Sequence, residues 1–443
     1  MSPLESCKVE FMKAEATVAM LKPPSHRRYL VRFLMMVIGL FMGCLILELG
    51  LRIGGVVYSG SFYEEDVVRG WGLRPGAHGW AIGEGKVYVR INSDGLRDRE
   101  LPIQKPPGTL RIAVLGDSYV EGMNVSLEKT FPAVVEREVS HCAAVKDRKA
   151  EVINFGVSGY GTAQELLTLR EHVWKYNPDI VVLAFYTGND LFNNYRALNP
   201  IEADQYPYFV YEDDSLVLDN SFRDSWKMSK LYMWLFNFRG DLQNRSRVFQ
   251  VFTGVIKDLK TKSAKRNADR DTAKLGLSDL EDIIYAAPAD ARMKEAWRVT
   301  EGMLLIMRDE VRSHRSEFWM VTLANRPQLN PDPVARQSFM KRLGIDTLFY
   351  PDLRLRAFGE QAGIPTFTLA LPMSAYAETN KVYLNGGYGV PLGAGHWNEN
   401  GHKLAGELIA SELCAKSPII SHWSTSPPNP ESVEYKAARS PSP

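Results

Sequence analysis

The run 179–186, DIVVLAFY, restricts the fold more than any other stretch of this chain. Every residue from Ile180 to Phe185 is apolar, over the length of a single strand. A strand without a polar face is covered on both sides, as in a parallel sheet packed between helices. Residues 112–115 repeat the pattern. From 109 onward, strand-like segments at 151–155, 317–323 and 365–369 alternate with helix-like ones at 130–140, 163–176, 291–313, 335–343, 353–362 and 402–414. That alternation predicts an α/β domain built on a central parallel sheet. Residues 207–219 read as a β-hairpin turning at Asp213-Asp214-Ser215, 370–395 as a Gly-rich loop, and the Ser/Pro-rich stretch after Lys416 as a disordered tail.

In such a sheet, ligands gather where the strands end. Strand 112–115 ends in Gly116-Asp117-Ser118, and 151–155 runs into Gly156-Val157-Ser158-Gly159-Tyr160-Gly161. Strand 179–186 ends in Thr187-Gly188-Asn189-Asp190, and His396-Trp397-Asn398 precedes the last helix. A Ser hydroxyl becomes a nucleophile when a base removes its proton, and His is the usual base near neutral pH. The oxyanion that then forms needs fixed donors, which a loop Gly N–H and an Asn amide supply. These four segments therefore hold the residue types of an acyl-transfer site. His402 is read as structural, in a helix capped by Asn398 or Asn400.

The N-terminal part sets the location. Residues 33–47, FLMMVIGLFMGCLIL, are apolar and uncharged, and with the extension to Leu51 they are long enough to span a bilayer. Arg27, Arg28 and Arg32 precede the run, so the positive-inside rule leaves residues 1–29 in the cytoplasm and places the rest outside. No small-residue cleavage site follows, which makes residues 30–52 a retained signal anchor. Residues 53–108 alternate like strands around Lys86–Ile91, with a turn at Asn92-Ser93-Asp94-Gly95, and predict a small β-rich lead-in. The insertion 191–300 mixes aromatic and basic residues over helical lengths. The chain carries 53 basic and 52 acidic residues, a balance that gives no sign of a polyanion-binding surface such as one for nucleic acid. Its four cysteines show no metal-binding spacing, and no motif calls for a metal or a cofactor. A Cys142–Cys414 disulfide is compatible with the sequence but has no spacing signal behind it.

The blocks Gly116-Asp117-Ser118, Gly159 within NFGVSGYGT, Gly188-Asn189-Asp190 and His396, in that order, resemble the SGNH/GDSL hydrolases. The lead-in is similar to that of membrane-anchored bacterial members, at Leu47-Glu48-Leu49-Gly50-Leu51-Arg52 and Asn92-Ser93-Asp94-Gly95-Leu96-Arg97. The resemblance covers residues 109–414, within a domain read as 109–416, and implies a three-layer α/β/α sandwich of flavodoxin-like type. It implies Ser118 as nucleophile, His396 as general base, and the Ser118 N–H, Gly159 N–H and Asn189 side chain as oxyanion donors, with Asp117 and Asp190 in supporting places. It also implies an esterase or O-acyltransferase, acting on an acylated carbohydrate of the envelope or on a lipid. One feature departs from the family: its Asp, three residues before the His, is Gly393 here. Three readings follow: a Ser–His dyad held by a backbone carbonyl, an acid from elsewhere such as Glu399 or the insertion, or an inactive protein that keeps the fold for envelope assembly.

Overall fold

The computed structural model describes residues 26–145, 148–199, 203–257, 259 and 280–423. Helix α1 (His26–Ile53) leads into two antiparallel hairpins, β1 (Tyr63–Asp66) with β2 (Gly70–Leu73), and β3 (His78–Ile82) with β4 (Lys86–Arg90). Phe62, Leu73, Val89 and Ile91 close a small core between the hairpins and pack on Val157 and Tyr160. The lead-in is thus seated on the main domain.

The main sheet contains β5 (Thr109–Gly116), β6 (Lys149–Asn154), β7 (Ile180–Tyr186), β10 (Glu317–Leu323) and β11 (Thr366–Thr368). All pairs are parallel, and the strand order is β6-β5-β7-β10-β11. This is the flavodoxin-like order, and the crevice between β5 and β7 is its switch point. Alternation along the strands divides the core in two. Ile112, Val114, Ile180 and Val182 face α3 (Phe131–Val139), α9 (Ala370–Asn380) and α10 (Glu399–Lys416). Ala113, Leu115, Val181 and Leu183 face α4 (Thr162–Glu171), α6 (Ala291–Ser313) and α8 (Tyr350–Ala362). The three-layer sandwich is the fold observed.

Between β7 and α6 the insertion forms the hairpin β8 (Tyr208–Glu212)/β9 (Ser215–Asp219), helix α5 (Lys230–Arg245) and a second helix from residue 247 to at least 257. The loop expected over 370–395 needs correction: its first eleven residues are α9. Ala370, Met373, Ser374 and Ala377 recur there at helical spacing and are buried, and the glycines begin only at Gly386. Within the stretch expected to be a disordered tail, Pro418–His422 is instead a helical turn with Ile420 buried. Residues 424–443 and most of the N-terminal tail lie outside the described residues.

Candidate active site

Strand β5 delivers Ser118. Gly116 has φ +156°, and a Cβ there would lie 2.3 Å from Val120 Cγ2 and 2.9 Å from the Ala184 carbonyl oxygen, so only glycine fits. Helix α2 (Ser118–Glu121) follows at once, capped by Asp117, whose Oδ1 accepts from the Tyr119 N–H at 2.9 Å. Ser118 is therefore the first helical residue, and its N–H is one of those the helix leaves unused. Arg97 of the lead-in clamps the other end of α2. Its guanidinium donates to the carbonyls of Glu121 (2.5 Å), Gly122 (2.6 Å) and Val125 (2.5 Å).

Across the crevice His396 Nε2 lies 2.8 Å from Ser118 Oγ. Its Nδ1 lies 2.8 Å from Glu84 Oε2, and the same oxygen accepts from the His396 backbone N–H at 2.5 Å. Glu84 sits between Gly83 and Gly85 at the tip of the β3–β4 hairpin, 312 residues from its partner. Both side chains are about a third exposed. Burial pulls the imidazole pKa down, but the hydrogen bond and charge of Glu84 outweigh it and hold His396 above its ordinary value. The bond to His396 in turn holds the Glu84 carboxyl low. The sequence located the vacancy at Gly393 but not its replacement. Gly393 has φ +83° and its Cβ direction runs 3.0 Å into the ring of Tyr383, so an acid placed there would be strained and crowded.

Of the expected oxyanion donors, Asn189 is held by its Nδ2, which donates to Asp117 Oδ2 at 3.0 Å. The Ser158–Gly159 peptide is held from the lead-in: Trp71 Nε1 donates to the Ser158 carbonyl at 3.0 Å. Because a trans peptide is planar, the Gly159 N–H points away from that bond. The Gly159 carbonyl accepts from Asn193 Nδ2 (3.1 Å) and the Tyr206 hydroxyl (3.2 Å). Trp71 and Glu84 belong to the candidate site by these hydrogen bonds, and no motif in the sequence announced them.

The other named residues sort differently. Glu399 is an exposed partner of Lys129 at 2.6 Å and does not support His396. Asp190 is fully buried under the site; one oxygen accepts from the Tyr186 N–H at 2.8 Å, and burial beside Glu165 drives its pKa far up. Asp117 is raised by burial too, and its contacts are to α2 and Asn189 rather than to the imidazole. His402 is buried in α10, accepts from the Phe131 N–H at 3.3 Å, and is pushed down to about 3 by burial. Tyr119 packs its ring 4.9 Å from His396, whereas Tyr160 and Trp397 are wholly buried. Glu121, one turn after Ser118, takes hydrogen bonds from Tyr63 and Ser158 and is raised to about 7 by burial.

Two cavities meet at this centre, and Ser118, His396 and Glu84 line both. The larger, about 590 Å³, adds Tyr186, Asn189, Asn325, Arg326 and Tyr285. The smaller, about 500 Å³, is walled by the lead-in through Phe62, Tyr63 and Ile82, and by Met123.

A serine–imidazole–carboxylate chain at the switch point of a parallel sheet is the arrangement that serine hydrolases use. Compared by sequence, the chain matches no protein-family pattern and no curated protein. Among solved structures it is similar to the acetyl xylan esterase AlAXEase, at 11% identity over 69% of this chain and 98% of that one, with a TM-score of 0.33. It is similar also to a lipolytic protein of the G-D-S-L family from Desulfitobacterium hafniense (11%, 68% and 99%, TM-score 0.31). A third is an acetylxylan esterase from Geobacillus stearothermophilus (10%, 69% and 94%, TM-score 0.35). These likenesses are too distant to assign a reaction.

Proposed function

We propose that the protein is a membrane-anchored serine esterase or O-acyltransferase that moves an acetyl-sized group on a cell-envelope or secreted polysaccharide. The observation that carries this reading is the continuous chain Ser118 Oγ–His396 Nε2–His396 Nδ1–Glu84, with 2.8 Å at each contact. As Oγ attacks the ester carbonyl, Nε2 takes its proton, and Glu84 steadies the resulting imidazolium and fixes the tautomer. Negative charge grows on the former carbonyl oxygen, where the Ser118 N–H, the Gly159 N–H and the second N–H of Asn189 Nδ2 receive it. The imidazolium then protonates the leaving alkoxide, which departs as an alcohol. Water or an acceptor hydroxyl, deprotonated by His396, attacks the acyl-serine, and Ser118 leaves with the proton.

The amides, Arg326 and aromatic rings of the larger cavity suit a hydroxyl-rich ligand. The second cavity at the same serine favours transfer, with acyl donor and acceptor approaching from different sides. Its apolar lining also suits a lipid-borne acyl donor, which keeps a lipase-like reading as the runner-up. Location rests on α1, whose residues Arg28–Ile53 are long and apolar enough to cross a bilayer. The Cys142–Cys414 disulfide, with Cα atoms 6.0 Å apart, supports an oxidising compartment for the main domain. The test is p-nitrophenyl acetate turnover by the full chain in detergent, with Ser118→Ala beside it. Acetate release should fall to background in the variant, and equal rates would remove the enzymatic reading in favour of a binding role.

A further inference from the structure

Helix α5 rests on the lead-in through polar contacts and leaves an apolar stripe in the open. Asn237 and the exposed Asp241 accept from Arg74, Gly240 lies against that guanidinium, and Asn244 pairs with the Ser61 backbone. Outward it presents Leu231, Trp234, Leu235, Phe238 and Leu242, which are between 38% and 66% exposed. Spacings of three, four and seven put these five on one stripe. The following helix adds Phe252, Val255 and Leu259, again exposed and again on one side. A stripe this size in water is unusual for a protein surface.

A helix distant on the chain but packed beside it, α1, points to what covers it. Glu48, the carboxylate inside the apolar run of α1, accepts from the N–H groups of Arg247 and Val248 and from the Ser246 hydroxyl, each at 3.0 Å. It thereby caps the second insertion helix. Arg52 donates to the Arg245 carbonyl at 2.7 Å, closing the junction of the two helices onto α1. An apolar groove continues from this junction, with Phe41, Cys44 and Leu45 of α1 on one wall and Leu242, Phe249 and Phe252 on the other. From Arg52 back to Phe41 is about 16 Å of helix, roughly one leaflet of hydrocarbon. The insertion helices therefore lie at the depth of the outer half of the span, with Trp226, Trp234, Lys227, Lys230 and Arg239 suited to the headgroup boundary.

We infer that α5 and the helix after it are embedded in the outer leaflet of the membrane that α1 crosses, so that the bilayer itself covers their apolar stripe. This rests on reading α1 as a membrane span, and the test separates the two. Full-length protein lacking Cys7 and Cys44 (both changed to Ser) is given one nitroxide label at Leu235→Cys, Phe252→Cys, Phe41→Cys or Arg356→Cys. Each is reconstituted in nanodiscs of phosphatidylcholine and phosphatidylglycerol, and its relaxation by oxygen is compared with that by a water-soluble nickel chelate. Labels at 235 and 252 should match 41, with oxygen access several-fold above chelate access, and 356 should show the reverse. Chelate access at 235 and 252 with a lipid-like 41 would overturn the embedding and leave the anchor standing. Chelate access at 41 as well would remove the anchor and the embedding together. Protection from both agents, with dipolar coupling between copies, would assign the stripe to a second copy of the chain and overturn the bilayer.

Discussion

Exchanging Glu84 for Gln tests whether the lead-in is part of the catalytic machinery. The substitution keeps the size of the side chain but removes its charge, and the amide NH₂ can donate to Nδ1, favouring the tautomer that cannot accept the serine proton. With the charges about 4 Å apart, an effective dielectric between that of a protein surface and that of water puts the electrostatic loss at about 1–4 kcal/mol. Screening matters because Glu84 is 31% exposed. At about 1.4 kcal/mol per decade, kcat should fall on the order of 10 to 10³-fold, short of the ~10⁴ seen when a buried triad acid is neutralised. The pH profile gives an independent reading. Catalysis needs neutral His396, so kcat/KM rises with pH as the imidazole loses its proton. Glu84 holds that pKa above its ordinary value near 6.5, so the wild-type acid limb lies above it. In Glu84→Gln the supporting charge is gone and burial is left to act, so the limb moves to lower pH. Steady-state p-nitrophenyl acetate kinetics from pH 5 to 9 measure both effects. A variant with wild-type kcat and an unmoved limb would refute the role of Glu84 and return the site to a dyad.

Adding Gly393→Asp to Glu84→Ala should restore no activity, because φ +83° and the Tyr383 ring at 3.0 Å aim that side chain away; it should also lower stability by about 1–2 kcal/mol in urea titration. Rescue would show the loop to be far more pliant than its hydrogen bonds suggest. Trp71→Phe keeps the ring but loses the bond to the Ser158 carbonyl, and kcat should drop about tenfold with KM little changed, a fraction of the cost of deleting an oxyanion donor. An unchanged kcat would detach Trp71 from the oxyanion peptide. Thiol titration of unfolded, unreduced chain should find two of the four cysteines free, and reduction should cost about 2–4 kcal/mol of unfolding free energy. Four free thiols would refute the pairing.

What could be read from the sequence was whatever is local in the chain. The apolar run at β7 announced an inner strand because both faces are filled from within seven residues. Ser118 and Asn189 were visible because each lies just after its strand, and His396 because it lies just before the last helix. Helix α9 was missed because the glycines after it coloured the whole stretch as loop. Glu84 was missed for a different reason: Gly-Glu-Gly at a hairpin tip reads as a turn, and nothing in it points to a residue 312 positions away. Glu48 is the same case, an acid in an apolar run whose partners lie about 200 residues on.

Glu84 gives the lead-in a role that neither its size nor its composition suggests. In the proposed mechanism Arg97 clamps the helix that carries the nucleophile, Trp71 fixes an oxyanion peptide, and Glu84 completes the imidazole relay. All three come from the segment between α1 and the sheet. That segment is also pinned to the insertion, which Glu48 and Arg52 tie to the end of α1. A carboxylate three residues before His396 would have made the main domain self-sufficient. Moving it to the β3–β4 hairpin makes the geometry of Ser118–His396 depend on the lead-in being docked. The docking surface is Val157 and Tyr160, in the very loop that presents Gly159. A displacement of the lead-in relative to the sheet would therefore disturb the base and an oxyanion donor together, and activity should be lost as a unit rather than by degrees.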